Sequence, residues 1–324
     1  MSRAREEELN EPLRCRAYAK INLCLSVGRA LVGGPRAGFH PIASWFCGVD
    51  LWDEVELSAR RAGRESEYAI EWADDAPRVS LIDWPLERDL CVRAHRLMER
   101  AAGRGLPVRL RLTKRIPVGG GLGGGSSDAA TMLRGVNHLF GLAWSKDRLA
   151  ALATELGSDV GYFVRCGAEP GARGGGLSVP ACPAIVGGLG GEVEPVELVG
   201  ARVVLVAPSF GCATGAVYAA FDDDPREVRP GDVREMVKRA TERGRIEPGE
   251  LFNDLTEPAC RVQPRLREVM ASVGERAGRA VHMSGSGSTL FVLTDEAGDG
   301  SAESIAAKIA PDLAPAACIA TRLV

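Results

Sequence analysis

Scarcities in the sequence narrow the reading first. Only 4 histidines occur in 324 residues, and no two stand at metal-ligand spacing. The nine cysteines (Cys15, Cys24, Cys47, Cys91, Cys166, Cys182, Cys212, Cys260 and Cys318) form no C-x-x-C pair. An odd, scattered set reads as reduced, mostly buried thiols and excludes a disulfide or zinc framework. Positive charge is not in excess, since the formal net charge is −3, which argues against a general nucleic-acid binder. No apolar run reaches membrane-spanning length, and Met1 to Pro12 is charged and lacks a signal-peptide core. No membrane partner and a cytoplasmic location are expected. No internal repeat is present. The length suits two domains, each with its own core.

What is present starts with glycine. In Pro117-Val118-Gly119-Gly120-Gly121-Leu122-Gly123-Gly124-Gly125-Ser126-Ser127-Asp128-Ala129-Ala130, six glycines fill seven positions between a basic alternating segment and an apolar helical pattern. Such a run gives up side chains so that backbone N–H groups can approach a ligand, and a phosphate suits it. Ser126, Ser127 and Asp128 are good cap residues. Met132, Leu133, Val136, Leu139 and Phe140 then recur at helical spacing until Gly141. A helix N-terminus is thus expected to open onto the glycines, where its N–H groups and dipole favour an anion. Gly119-x-Gly121-x-x-Gly124 fits the dinucleotide pattern, but its surroundings lack the opening βαβ unit and the acidic strand end. A Walker A loop would end in Gly-Lys-Ser/Thr, and no lysine follows here. The bland alternative is a glycine-rich linker.

Taken in order, Arg16 to Val27 alternates as a half-buried strand. Ala17, Ala19, Ile21, Leu23, Leu25 and Val27 share one face; Tyr18, Lys20, Asn22, Cys24 and Ser26 share the other. Lys20 on such a strand also reads as an ordinary solvated edge residue. A turn-rich loop, residues 33–41, sets Phe39 beside His40. That pair can stack on a flat ring and bond its edge, or Phe39 can cover a core gap. Trp45 to Leu57 is strand material with a turn at Asp50-Leu51-Trp52-Asp53. Arg60 to Arg88 is polar, with strands and loops. A helix is predicted over Leu90 to Ala102, ended by Gly103, and a strand over Val108 to Ile116 feeds the glycines. Its Lys114 and Arg115 are expected to add positive potential for a polyphosphate. A further helix spans Asp147 to Leu156. Asp159 starts another segment and reads locally as an N-cap. From Cys166 to Gly191 the chain is rich in Gly, Pro and Ala, a domain junction. Beyond it come the strand Arg202 to Pro208, a helix at Thr214 to Phe221, a polar stretch leading to Leu251, and a helix carrying Val262, Leu266, Val269 and Met270. The strand Leu290 to Leu293 and the helix Ala302 to Ile309 follow, giving helices against an antiparallel sheet.

Five stretches in this order resemble the GHMP kinases. They are Ala17-Tyr18-Ala19-Lys20-Ile21-Asn22-Leu23, the glycine run from Pro117 to Ala130, Leu156-Gly157-Ser158-Asp159-Val160-x-x-Phe163, Phe252-Asn253-Asp254-Leu255 and Ser284-Gly285-Ser286-Gly287-Ser288. The resemblance implies an α/β chain, in the α+β two-layer sense, of two-domain architecture. A mixed-sheet N-terminal ATP-binding domain is expected at 13–168, a Gly/Pro-rich junction at 169–191, and a smaller C-terminal domain of antiparallel sheet plus helices at 192–324. It implies ATP, with Mg²⁺ carried by the phosphates and Ser127 near it, and no dedicated metal site. The nucleotide would lie on Pro117, Gly119, Gly120, Gly121, Leu122, Gly123, Gly124, Gly125, Ser126 and Ser127. Asp159 would be the general base for the acceptor hydroxyl, and Lys20 would hold that hydroxyl, keep Asp159 ionised and stabilise the transferring charge.

The first motif together with Gly38-Phe39-His40 resembles the branch of the family that phosphorylates a cytidine diphosphate-linked polyol in isoprenoid precursor synthesis. Asn22, Phe39, His40, Thr214 and Tyr218 would then contact substrate, with Phe39 and Tyr218 on either side of the base. Another GHMP small-molecule kinase, or a catalytically inactive relative that only binds, are the alternatives. The chain departs from the family in three places. Ala37 and Phe39 stand where an aspartate and a tyrosine are usual, Gly161 replaces a proline, and a Gly/Pro-rich insertion at 169–187 precedes Gly188-Leu189-Gly190-Gly191-Glu192.

Overall fold

A computed structural model describes residues 11–167, 179–313 and 315–324. The charged leader through residue 10 and most of the inserted segment lie outside the described residues. The chain forms two compact units that interleave along the sequence. One contains the described residues of 1–19, 51–116 and 124–181; the other contains 20–50, 117–123 and 182–324.

Two long strands contribute to both units, β1 (Leu13–Val27) and β2 (Ile42–Ala59), and they pair with each other. The predicted turn at Asp50 to Asp53 does not occur, because partners remote in sequence hold those aspartates in extended chain. Asp50 Oδ2 accepts from Arg322 Nε at 3.0 Å, and Asp53 Oδ1 accepts the backbone N–H groups of Arg115 and Ile116 at 2.5 and 2.8 Å. The half-buried reading of β1 also fails. From Ala17 to Val27 both faces are buried, Lys20 and Asn22 included.

In the first unit β4 (Val108–Lys114) runs antiparallel to the second half of β2 and parallel to β3 (Glu67–Trp72), a mixed arrangement. Helix α1 (Leu90–Ala102) begins where Asp89 accepts the N–H groups of Cys91 and Val92, a cap worth about 1 kcal/mol. Gly103 ends it with φ 64°. Helix α2 (Gly124–Leu139) packs on α1, and the short helices α3 (Lys146–Ala153) and α4 (Val160–Cys166) pack on each other. Leu97, Met98, Leu110, Leu112, Met132 and Leu133 lie in its interior.

A buried charge cluster ties β2, β4 and α2. Lys114 Nζ donates to Asp53 Oδ2 at 2.6 Å and to Asp128 Oδ2 at 2.7 Å, and all three side chains are at least 95% buried. Burial alone favours the neutral amine, but the charges of Asp128 and Asp53 outweigh it and hold the ammonium above its ordinary value. Lys114 is therefore spent within the unit and does not supply the expected field for a polyphosphate. Arg115 pairs with Glu54 at 3.3 Å and with Asp75 at 2.8 Å.

In the second unit the first half of β2 pairs antiparallel with β5 (Ala184–Gly188), and β5 with β6 (Glu192–Pro195). A separate antiparallel sheet has the order β10 (Ala317–Arg322), β7 (Arg202–Ala207), β9 (Leu290–Thr294), β8 (His282–Met283). Helices α5 (Thr214–Phe221), α7 (Thr256–Val262), α8 (Pro264–Ala277) and α9 (Ala302–Leu313) supply core residues against it, among them Val217, Phe221, Leu266, Val273 and Ile305. The expectation of helices on an antiparallel sheet holds. The stretch read only as polar contains α6 (Pro230–Arg243), with Pro230 in its first turn and Gly244 closing it at φ 66°. None of the nine cysteines, all among the described residues, is in a disulfide; burial pushes the Cys24 and Cys47 thiols up to about 12, so they stay protonated and inert. Among the described residues no helix is long and apolar enough to cross a membrane.

Lys114→Met leaves Asp53 and Asp128 facing each other out of water. Urea unfolding is expected to show a loss of about 3–5 kcal/mol. A loss under about 1 kcal/mol, the range of an exposed pair, would contradict a structural role for the cluster.

Candidate active site

In the second unit, Lys20 and Asn22 point the same way from β1, as alternate residues must. Lys20 Nζ donates to Asn22 Oδ1 at 2.7 Å and lies 4.6 Å from the centre of the Phe46 ring. Asn22 Nδ2 donates to Ser44 Oγ at 2.9 Å, and Ser44 Oγ donates to the Cys24 carbonyl at 2.5 Å. Lys20 is 3% exposed, so the solvated-edge reading of this lysine is excluded.

The glycine run joins the same cluster through main chain. The backbone N–H of Lys20 donates to the carbonyl of Leu122 at 2.9 Å, and that of Thr289 to the carbonyl of Gly120 at 3.1 Å. Ser284 Oγ accepts the N–H of Asn22 at 3.2 Å and donates to the carbonyl of Gly121 at 3.2 Å. Gly119, Gly121 and Gly123 have φ of 75°, 79° and 71°, a region that favours glycine. A methyl group on Gly121 would also fall 2.5 Å from the Ser284 carbonyl oxygen. Glycine is thus required there twice over, and Leu122 is buried beneath the run. Pro117 is buried as well. A flexible linker has none of these ties. The two other motifs brace the Ser284 turn and the end of β1. Asn253 Nδ2 donates to the carbonyls of Met283 and Gly285, both at 2.8 Å. Asp254 accepts the N–H of Val27 at 3.0 Å and Arg229 Nη2 at 2.7 Å.

Phe39 is 61% exposed on its loop, so it covers no core gap. The His40 side chain is 5% exposed; its Nδ1 donates to the Gly28 carbonyl at 2.9 Å, and its ring lies 4.9 Å from Tyr218 and 5.8 Å from Phe221. With Nδ1 so used, Nε2 is the nitrogen left to face Asp222, 3.6 Å away. Thr214 Oγ1 lies 3.0 Å from Ser286 Oγ. The structure thus groups Lys20 with Asn22, Gly120, Gly121 and Leu122, and His40 with Tyr218. Sequence reasoning missed Ser44 as a partner of Asn22; a lone serine in the apolar run Ile42-Ala43-Ser44-Trp45 was the available signal.

Asp159, Gly124, Gly125, Ser126 and Ser127 belong to the first unit. Helix α2 starts at Gly124, so Ser126, Ser127 and Asp128 lie inside it and are not its cap, and Asp128 is drawn inward by Lys114. A methyl group on Gly124 would fall 2.9 Å from Ile116 Cγ2, which explains glycine at this start. The N–H groups of residues 124–127 have no partner earlier in the helix, as an anion site requires. Asp159 stands at the N-cap position of α4 with φ −83° and ψ −18°, yet its side chain makes no cap hydrogen bond; its Oδ1 accepts from Ser158 Oγ at 3.3 Å. The bland reading of Asp159 as a helix cap is therefore not how the side chain is used.

Two family patterns match this chain, "GHMP kinases N terminal domain" over residues 89–168 and "GHMP kinases C terminal" over residues 228–312. A 4-diphosphocytidyl-2-C-methyl-D-erythritol kinase of Methylibium petroleiphilum is 33% identical over 302 residues, 92% of this chain and 90% of that protein. The chain belongs to the GHMP kinase family. A GHMP kinase of the same name from Chromobacterium violaceum is 34% identical over 85% of this chain and 84% of its own length. A crystal structure of 4-(cytidine 5'-diphospho)-2C-methyl-D-erythritol kinase superposes with TM-score 0.71 at 30% identity, over 96% of this chain and 99% of that one. Homoserine kinase from Cytophaga hutchinsonii shares the fold, with TM-score 0.59 at 16% identity over 98% and 96% of the two chains.

As GHMP kinases depend on ATP, the glycine run gives a direct test. Gly121→Ala imposes a left-handed φ on alanine and a clash with Ser284, a strain of about 1–3 kcal/mol. ATP affinity by titration calorimetry is expected to fall by about tenfold or more, and unchanged affinity would remove Gly121 from the nucleotide site.

Proposed function

We propose that this protein transfers the γ-phosphoryl group of ATP to the C2 hydroxyl of 4-diphosphocytidyl-2-C-methyl-D-erythritol, in the non-mevalonate route to isoprenoids. The observation that carries this reading is the one-third identity, over most of both chains, to relatives bearing that kinase's name, with the chemistry-bearing motifs retained. We assign the GHMP N-terminal domain to 13–168, the C-terminal domain to 192–324 and the junction to 169–191, and we place the enzyme in the cytoplasm.

Asp159 takes the proton of the acceptor hydroxyl. The base must be ionised when substrate is bound, and a nearby cation favours that state. Lys20 holds the hydroxyl and offsets charge as the phosphoryl group passes, the main demand of this chemistry. Support for Lys20 comes from its burial with a fixed acceptor on Asn22, which orders the side chain before any ligand arrives. Pro117, residues 119–125, Ser126 and Ser127 bind the nucleotide, their bare main chain and the start of α2 suiting an anion. Among the described residues no three His, Cys, Asp or Glu side chains form a metal cluster. Mg²⁺ would be held by the nucleotide with Ser127 beside it, and would supply positive charge to the phosphates there. Asn22, Phe39, His40, Thr214 and Tyr218 bind the cytidyl substrate. Phe39 stacks on cytosine from an exposed position, and the packing of His40 against Tyr218 supports a base-recognition surface.

Purified protein with ATP, Mg²⁺ and the cytidyl alcohol should release ADP, and free cytidine nucleotides should inhibit; activity on mevalonate or homoserine without that inhibition would replace this substrate. Asp159→Asn should fold and bind ATP yet lose about 10²–10⁴-fold in turnover. Near wild-type turnover would take Asp159 out of the mechanism. Phe39→Ala should raise KM for the cytidyl substrate by about tenfold, the scale of one base stack, with KM for ATP unchanged. Equal changes in both would undo the stacking assignment.

A further inference from the structure

The cluster around Lys20 contains a relay whose direction is fixed at both ends. The ammonium of Lys20 can only donate, and the main-chain carbonyl of Cys24 can only accept. Ser44 Oγ spends its one proton on that carbonyl at 2.5 Å, so toward Asn22 it can only accept. The Asn22 amide must therefore show its NH₂ to Ser44, 2.9 Å away, and its oxygen to Lys20, 2.7 Å away. Ser44 is 0% exposed, Asn22 3% and Cys24 0%, so water does not reach in to substitute for a missing member. The hydrogen bonds run one way, Lys20 to Asn22 to Ser44 to the Cys24 carbonyl, and no group in the row can reverse without setting donor against donor.

We propose that Ser44 is a positioning residue for the reaction, fixing the amide of Asn22 so that its oxygen aims the Lys20 ammonium. The inference rests on the proposed role of Lys20. Ser44 reaches this position because β2 carries it opposite Val186 of β5, within a run of apolar residues where an isolated hydroxyl has no packing advantage. Removing the hydroxyl leaves the Asn22 NH₂ buried without its acceptor. The amide is then free to rotate, and in the rotated state it presents a donor to a donor. Ser284 accepts the Asn22 backbone N–H at 3.2 Å, and its Oγ also lies 3.5 Å from Asn22 Oδ1; its single proton goes to the nearer Gly121 carbonyl at 3.2 Å, so the short bond to Ser44 is the stronger constraint on the amide.

The experiment compares Ser44→Ala, Ser44→Thr and Lys20→Met in the full-length enzyme, with kcat, both KM values, melting temperature, and the Nζ resonance of Lys20 in ¹⁵N-lysine-labelled protein, assigned by its loss in Lys20→Met. Ser44→Ala is expected to lower kcat by about 10- to 100-fold, the scale of one unpaired buried donor, with KM for ATP unchanged and the Lys20 resonance displaced. Ser44→Thr, which keeps the hydroxyl, should restore most of the rate and the resonance position. Wild-type kcat and an undisplaced resonance in Ser44→Ala, with Lys20→Met inactive, overturn the proposal while leaving the kinase reading intact. Wild-type turnover in Lys20→Met removes the role of Lys20 and this proposal with it. Should Ser44→Ala not fold, Ser44→Cys keeps the volume with a poor acceptor, and wild-type kcat there overturns the proposal equally.

Discussion

An ammonium group taken out of water has to be met by acceptors, and this chain meets the requirement twice in different ways. Lys114 sits between the carboxylates of Asp53 and Asp128. Such a cluster joins β2, β4 and α2 strongly, because losing any member strands charge in a medium that solvates it poorly. Its charge is consumed where it stands. Lys20 donates to the oxygen of a neutral amide and lies against the face of Phe46, partners that hold the group in place. The role proposed for Lys20 needs a side chain ordered in advance, and these partners supply that order.

The same division governs the glycine run. In the second unit its carbonyls are used by groups from distant parts of the sequence: Ser284 reaches Gly121 across 163 residues, and Thr289 and Lys20 take Gly120 and Leu122 through main-chain N–H groups. Three acceptors of the run, the carbonyls of residues 120–122, are thereby occupied by protein. In a phosphate cradle the N–H groups do the binding, so carbonyls turned to the scaffold are consistent with that use. Gly121 shows the geometric side of this bargain, since its left-handed φ and its contact with the Ser284 carbonyl both exclude a side chain.

Much of the fold was legible because local pattern and tertiary need agree. The spacing of Leu90, Ala94, Leu97 and Met98 with Gly103 after them marked α1, and Thr214 to Phe221 coincides with α5. Where the two disagree, the pattern misled. Asp50 and Asp53 read as turn residues, yet their partners lie 272 and 61 residues away and keep β2 straight. Alternation in β1 marks a strand but does not separate a polar face that is solvated from one that is buried and satisfied; the burial of Lys20 with Asn22 and Ser44 decides between them. Helix α6 is a different case. Val233, Met236, Val237 and Ala240 carry helical spacing between Pro230 and Gly244, and the signal was present but diluted by charged neighbours. Strands β5 and β10 left little trace, being short and rich in Gly or Ala, and their pairing with β2 and β7 is what defines them.

Local rules are broken most clearly at α4, and the site of the breach is informative. An aspartate at the N-cap position normally accepts a helix N–H, worth about 1 kcal/mol, and Asp159 does not do so. Gly161, where the family usually has proline, weakens the same first turn by a further 0.5–1 kcal/mol or so relative to alanine. A helix of 7 residues with neither device would not persist alone. It is held by burial of Val160, Tyr162, Phe163 and Val164, each no more than 3% exposed. The core thus carries the stability that the first turn forgoes, and the Asp159 carboxylate is not committed to capping. Departures from local preference that the rest of a fold has to sustain are common at functional sites, and the role proposed for Asp159 agrees with that rule.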